Sequence, residues 1–374
     1  MNLGAFFAFI HQTLTMKICY FTILILFFSC SQSVEKNCFT NRRDQVFEVY
    51  KEQKPYTVKQ ILNKKVDYLE ITSLKKYRSF RQDSVESFTH AGSEVYEKME
   101  KRLESQFKVF REKFSDQFVF YSSQQVGNVL YGLGRNRLGF WLLTIENEKT
   151  KAYFLGLSFS HYYINEIQEL PIIKDGFLQF EGSLVKIVKV GGLPGYDDYS
   201  AMEDGKLFKM NLKDVTKDSD HDGYNDIFEK SFGLNQMDKD TDGDGINDFE
   251  DMNPLFKSEK NKFTQLYELL QPNNGMINMK KLHYTFQIYE TDCDYFHHIN
   301  PEARVLFVSE DKNKQTPYLR ITDVTDRNIS KIQTNDKDPN IFYIYVSGSG
   351  FTNDYAAEYI KGKWMLKDLG GTVS

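Results

Sequence analysis

Residues 218–229, DSDHDGYNDIFE, carry carboxylates at the first, third, fifth, ninth and twelfth places of a twelve-residue stretch, with glycine at the sixth. That spacing is chemistry for a hard cation. Alternate residues of a tight loop turn their oxygens inward, and calcium takes about six to eight of them at roughly 2.3–2.6 Å. In such a loop Asp218, Asp220 and Asp222 supply side chains, Tyr224 its backbone carbonyl, and Asp226 and Glu229 the closing oxygens. Gly223 permits the backbone reversal that returns Glu229 to the ion. A second stretch, DTDGDGINDFED at 240–251, repeats the pattern with Asp240, Asp242, Asp244, Gly245, Ile246, Asp248 and Asp251. Its last ligand is one methylene shorter than glutamate, so this site is expected to be weaker alone, or to recruit Glu250 or Asp238. Magnesium fits less well, because it keeps its waters and demands octahedral geometry.

The charge is local. Between residues 218 and 251 twelve acidic residues face two lysines, whereas the whole chain of 374 residues has a net charge of only −5. A solvated acidic linker has no reason to place glycine and four aspartates in the same register twice. Without an ion, the segment's self-repulsion should drive it open.

The elements around the loops fit an EF-hand poorly, since it needs a helix on each side. Only KSFGLNQMDK separates the loops, Gly233 ends any helix leaving the first, and GKLFKMNLKDV before it alternates like a strand. The two units in register, with a GLN turn between them, resemble the bacterial thrombospondin type 3 repeat, D-x-D-x-D-G-x-x-D-x-x-[DE]. The resemblance covers residues 218–254, about a tenth of the chain. Dockerins share the loop but carry a longer helix after each unit. The resemblance implies calcium as cofactor, stiffening a segment (214–256) that has almost no core of its own.

The flanks read as two α+β, sheet-rich domains, at 41–213 and 260–374. In the first, Val95, Met99, Leu103, Phe107, Phe110 and Phe114 form one apolar stripe on a helix. Strand-like FVFYSS, GFWLLTIEN, KAYFLGLSF and GSLVKIVKV follow, with ENEKTK as a hairpin loop. In the second, a helix KFTQLYELLQ precedes the strand candidates LHYTFQIYE, ARVLFVSE, PYLRITDV, NIFYIYVSG and KWMLKDL. An aromatic content of 15%, with 31 Phe and 23 Tyr, fits globular, sheet-rich units.

The N-terminus has the form of an export signal over residues 1–29, with Met16 as an alternative start. A lysine precedes an apolar run at 18–28 that is too short for a transmembrane helix of about 20 residues. The run ends in FFSC, which resembles a bacterial lipobox and implies lipidation of Cys30, with residues 30–40 as a tether. Phe27 departs from the leucine usual in that motif. The resemblance, joined to the acidic repeat, is to surface lipoproteins of Gram-negative bacteria of the Bacteroidetes type. It implies an outer-membrane protein facing the periplasm or the surface, or a secreted one if Cys30 is not lipidated. Whether Cys38 and Cys293 pair is open from the sequence.

Other constellations carry less. DCDYFHH at 292–298 gathers a cysteine, two aspartates and two histidines, but adjacent histidines seldom face one ion, and no second zinc motif accompanies them. It reads as a polar loop or strand edge. YGLGRNR at 131–137 lacks the third glycine of a phosphate loop and reads as a hairpin, and residues 191–205 read as a surface loop. His161 and His283 lie beside aromatics, as packed residues would. No catalytic triad is discernible, and the net charge argues against a nucleic-acid partner. The expected function is that of a calcium-binding, lipid-anchored envelope protein whose ion rigidifies the link between two scaffold or binding domains, with a protein or glycan as ligand. The alternatives are a hydrolase with structural calcium and an EF-hand-like calcium sensor.

Overall fold

The computed structural model describes residues 37–41, 54–89, 94–189, 196–271, 278–322, 327–348 and 350–373. The signal region, Cys30 and residues 272–275 lie outside them. In chain order, β1 (Phe39–Asn41), α1 (Val58–Lys64), β2 (Glu70–Ser73), α2 (Phe80–Thr89) and α3 (Glu94–Phe114) come first. An antiparallel meander follows: β3 (Val119–Val126), β4 (Val129–Asn136), β5 (Gly139–Glu146) and β6 (Lys149–Phe154). Next come β7 (Tyr162–Ile164), β8 (Ile173–Lys174), β9 (Phe177–Lys189) and β10 (Tyr196–Asn211). With β2 they form a second antiparallel sheet in the order β2-β10-β9-β7, β8 lying beside β9.

The acidic segment holds only α4 (Leu212–Val215) and α5 (Asp226–Phe232). Beyond it are α6 (Lys262–Leu269), a 3-10 turn (Met279–Lys281), β11 (Gln287–Glu290), α7 (Asp294–His297), β12 (Val305–Val308) and α8 (Pro317–Ile321). The chain finishes with β13 (Arg327–Ile329), β14 (Ile332–Thr334), β15 (Ile341–Gly348), β16 (Phe351–Ile360) and β17 (Lys363–Val373). β11 and β12 pair in parallel, and the last sheet runs β1-β14-β15-β16-β17, with β13 on β15. The architecture is α+β and sheet-rich, as expected.

The strands sort their side chains by simple alternation. β5 is apolar on both faces because it is covered on both. Phe140 and Leu142 pack toward Phe180, Leu184 and Phe208 of the second sheet, while Trp141, Leu143 and Ile145 face a core shared with α3. Phe107, Phe110 and Phe114 fill that side of α3; the side chains of Val95, Met99 and Leu103 lie outside the described set. Gly132 in β4 lets the helix approach, since a Cβ there would meet the Phe110 ring at 2.7 Å. YGLGRN is therefore strand, not hairpin: its first glycine makes room for Phe110, and its second for Leu143 and the neighbouring strand.

Three further expectations give way. PYLRI is helical, because Thr316 caps the backbone and Pro317 occupies the first turn, where its missing N–H costs nothing. Residues 196–205 belong to β10, paired across to β9, rather than to a surface loop. The end of the expected tether is anchored: β1 pairs in parallel with β14, and Cys38 forms a disulfide with Cys293 across a sequence separation of 255.

The largest difference concerns the acidic segment. A spacer with almost no core was expected, yet Tyr224, Ile227, Phe228, Phe232 and Leu234 are buried in one cluster with Trp141 and Phe154 of the meander and Phe286, Ile288 and Tyr318 beyond it. Segments assigned to two separate domains thus share a core, and the acidic segment is part of it. The physical reason is visible in the loop sequence itself. Tyr224, Ile227, Phe228 and Phe249 stand among the acidic residues, and the same turns that point carboxylates one way point these apolar side chains the other.

Candidate metal centre

Each acidic loop is built on the same scaffold. In the first, the Asp226 N–H donates to Lys217 O at 2.8 Å; in the second, the Asp248 N–H donates to Lys239 O at 2.8 Å. The ninth-place carboxylate then holds the second-place residue. Asp226 accepts from the Ser219 N–H (2.8 Å) and Oγ (2.9 Å), and Asp248 from the Thr241 N–H (2.8 Å) and Oγ1 (2.6 Å). The fifth-place aspartates cap the seventh-place amides, Asp222 to Tyr224 at 2.6 Å and Asp244 to Ile246 at 2.8 Å. Gly223 sits at φ 122°, and a Cβ there would lie 3.0 Å from the Phe249 ring of the other loop. The loops are packed against each other, not merely in series.

The first loop is the better anchored. Tyr224 stacks on Phe228 with ring centroids 4.3 Å apart, and its hydroxyl donates to His283 O at 2.7 Å. Ile246, its counterpart, is 47% exposed. Asn225 bonds the backbone of Phe154 and Val215. α5 presents Glu229 and ends at Gly233, which adopts the left-handed conformation. The second loop is tied down behind its last residue, where Asn253 donates to His297 O (2.7 Å) and Ile299 O (3.2 Å).

Three carboxylate groupings result, in each of which the candidate ligand oxygens lie within 4.8 Å of one another: Asp218, Asp220 and Asp222; Asp222, Glu229 and Asp248; Asp240, Asp242 and Asp244. Glu229 is fully buried, Asp248 1% exposed and Asp222 8% exposed. Among the described residues no hydrogen-bond partner meets either carboxylate oxygen of Glu229, nor one oxygen each of Asp218, Asp220, Asp222 and Asp242. Among the described residues the one ion pair made by these loop carboxylates is Lys217–Asp226, at 2.6 Å. Arg304, a buried cation nearby, donates instead to the carbonyls of Lys280 (3.0 Å) and Phe249 (2.8 Å).

The electrostatic consequences follow from burial and crowding. Burial, followed by repulsion from Asp220 and Asp222, pushes Glu229 up to about 9. Burial and the neighbouring Asp220 and Asp248 push Asp222 up to about 7. Asp242 and Asp248 are raised to about 6, in both cases chiefly by burial. Asp226 goes the other way: burial raises it, but the hydrogen bonds from Lys217 and Ser219 outweigh that and hold it below the ordinary value. Asp240 is likewise lowered overall, because the amides of Gly245, Gly243 and Asp244 offset its burial.

The expected ligands therefore divide. Asp218, Asp220, Asp222 and Glu229 belong to linked groupings in the first loop. Asp226 does not join them; its oxygens are taken by Lys217 and Ser219. In the second loop Asp240, Asp242 and Asp244 converge, while Asp251 is buried and accepts from the Asn253 N–H at 2.9 Å. Neither Glu250 nor Asp238 joins a grouping. An all-oxygen, acidic donor set of this kind suits a hard divalent cation and lacks the imidazole or thiolate that zinc and copper prefer. Asp248, expected as a ligand within its own loop, instead groups with Asp222 and Glu229 of the first; nothing in a linear pattern marks such a crossing.

The second cluster dissolves. Cys293 is in the disulfide, His297 stacks on Phe256 at 4.2 Å and meets Thr291 O at 2.9 Å, and His298 meets Lys257 O at 2.6 Å. His283 stacks on Phe249 at 4.3 Å, and His161 lies edge-on to Tyr56 at 5.0 Å, both packed as expected. The chain matches no family model, no curated protein and no solved structure at a significant level.

Proposed function

We propose that this chain is an exported, lipid-anchored calcium-binding protein of a bacterial envelope, in which calcium fixes the acidic segment into the core between the flanking sheets. The observation that carries the reading is Glu229: a fully buried glutamate, both oxygens without a partner among the described residues, beside the buried Asp222 and Asp248. Burying several carboxylates together is costly unless a cation neutralises them. Calcium is the cation of choice, because the loop offers the spacing and the flexible oxygen set it prefers. Unlike the spacer suggested by the repeat, the ion here works from inside a packed body. Its role is to hold Tyr224 and Phe228 in place.

Export is supported by the signal-like N-terminus and by the Cys38–Cys293 disulfide, a bond that persists in oxidising compartments. Lipid attachment at Cys30 would place the anchor a few residues ahead of Cys38, so the C-terminal sheet that holds β1 would be the part tied closest to the membrane. The flanking sheets then serve as scaffold for a protein or glycan ligand.

Calcium calorimetry on the purified chain, residues 31–374, tests the reading. Saturable binding, at an affinity of about 1 mM or tighter, whose first-loop component is lost in Asp220→Asn is the expected result. Absence of heat together with an unchanged melting temperature in calcium would overturn it. Membrane partitioning of the full chain against Cys30→Ser tests the anchor; a variant that still partitions into detergent phase refutes lipidation.

A further inference from the structure

The two acidic loops have the same hydrogen-bond scaffold, so a difference between equivalent residues is informative. Asp226 and Asp248 occupy the ninth place in their loops, and each grips the second-place residue of its own loop. Their surroundings then part. Asp226 carries a third partner, the Lys217 ammonium at 2.6 Å, which neutralises it. Asp248 has no ion pair among the described residues, is 1% exposed, and points an oxygen into the grouping with Asp222 and Glu229 of the other loop. A carboxylate has about four lone-pair sites. Thr241 uses two of those on Asp248, which leaves capacity for a metal; on Asp226, Lys217 takes part of the remainder.

We propose that Asp248, a residue of the second loop, is a ligand of the cation in the first, so that one ion is held jointly by Asp218, Asp220, Asp222, Glu229 and Asp248. The inference rests on the calcium reading above and goes beyond it. It makes the first site incomplete without the second loop, and it assigns Asp226 to the fold of its loop instead of to the metal. The unpartnered oxygens of Glu229 are the second, independent sign that a positive ligand belongs at this point between the loops. Packing agrees, since Phe249, the neighbour of Asp248, lies against Gly223 and Tyr224 of the first loop.

Terbium, a luminescent substitute for calcium, separates the two loops. Tyr224 at the seventh place of the first loop can sensitise it there, whereas the second loop has Ile246. The experiment titrates calcium against terbium luminescence on the full mature chain and on Asp248→Asn, Asp226→Asn, Thr241→Val and Asp220→Asn. Asparagine at 248 keeps one acceptor, for the Thr241 N–H, and can donate its amide to Thr241 Oγ1, but loses the charge. The expected result is that Asp248→Asn weakens calcium at the first site about tenfold or more, while Asp226→Asn and Thr241→Val change it less than about threefold. If Asp248→Asn binds like the parent while Asp220→Asn does not bind, the inference is wrong and the calcium reading survives. If Thr241→Val reproduces the loss, Asp248 acts through its turn and is no ligand, which also overturns the inference. No terbium or calcium binding by the parent chain defeats both readings. Should Asp248→Asn fail to fold, anomalous scattering from the terbium-loaded parent crystal decides: an Asp248 oxygen bonded to the first ion supports the assignment, and one more than about 4 Å away refutes it.

Discussion

Asn225 pairs with the backbone of Phe154 as a neighbouring strand would: its Oδ1 accepts from the Phe154 N–H at 3.0 Å, and its Nδ2 donates to Phe154 O at 2.9 Å. Phe154 ends β6, the edge of the meander. One side chain from the first acidic loop thus satisfies an edge that would otherwise leave buried polar groups unpaired, and the same amide reaches Val215 O at 2.8 Å. Loop and sheet are joined through it.

Asn225→Ala removes these bonds and leaves the Phe154 amide and carbonyl buried without partners. Each such group costs about 1–3 kcal/mol, so a loss of about 2–5 kcal/mol is expected in urea unfolding at saturating calcium. Asn247→Ala, at the same place in the second loop, loses only a bond to the Phe249 N–H at 2.9 Å and should cost about 1 kcal/mol or less. Equal losses in the two variants would show that the link to the meander carries no special weight.

If calcium fills the loops as proposed, its removal destabilises the whole core rather than releasing one segment. Phe228 lies 5.7 Å from Trp141 and 5.6 Å from Phe286, centroid to centroid, so the loop's aromatics bridge both flanks. Chelation, or Asp220→Ala with Asp242→Ala, is expected to lower the midpoint of a single unfolding transition, with about 2.7 kcal/mol at stake for calcium at a hundred times its dissociation constant. Limited proteolysis reads the alternative: early cleavage confined to 214–256, with both flanks surviving, would restore the spacer.

In the calcium-free protein the pH dependence has a definite sign. Asp222 at about 7 and Glu229 at about 9 lie above their ordinary 3.8 and 4.5, so folding takes up protons. The stability they contribute is complete below about pH 4 and is lost as pH rises through about 7 and about 9. Calcium needs the ionised forms, so its stabilising increment should grow over the same range. Melting curves from about pH 5 to 9, with chelator and at fixed free calcium, check this; an increment independent of pH would mean the ion does not meet these carboxylates.

Cys293→Ser frees the residue ahead of β1 from its covalent tie to the start of α7. The closed loop is long, with a sequence separation of 255, and a loss of about 3–5 kcal/mol is expected by denaturant unfolding, matched by reduction of the parent. An unchanged midpoint in both would show that the parallel pairing of Phe39 with Ile332 holds the strand unaided.

Much of this was legible because it depends on near neighbours. The stripe of Phe107, Phe110 and Phe114, the double-sided run of β5, the capped start of α6 at Asn261 and the stop at Gly233 are local patterns with local causes. PYLRI, strand-like in its apolar residues, is helical because the Thr-Pro start signal beside it prevails.

The sequence by itself determined the two loop scaffolds, their register and the oxygen chemistry they offer, because each loop's turns are closed by residues a few places apart. Only the tertiary structure decided that Asp248 faces Glu229, that Asp226 is spent on Lys217, that Cys38 meets Cys293, and that the acidic segment lies within a core instead of between two. Those outcomes depend on which distant surfaces bury one another. Tyr224, Phe228 and Phe249 find their partners in β5, β6 and the segment after the second loop, and their burial carries the carboxylates on the other side of each turn to where they converge.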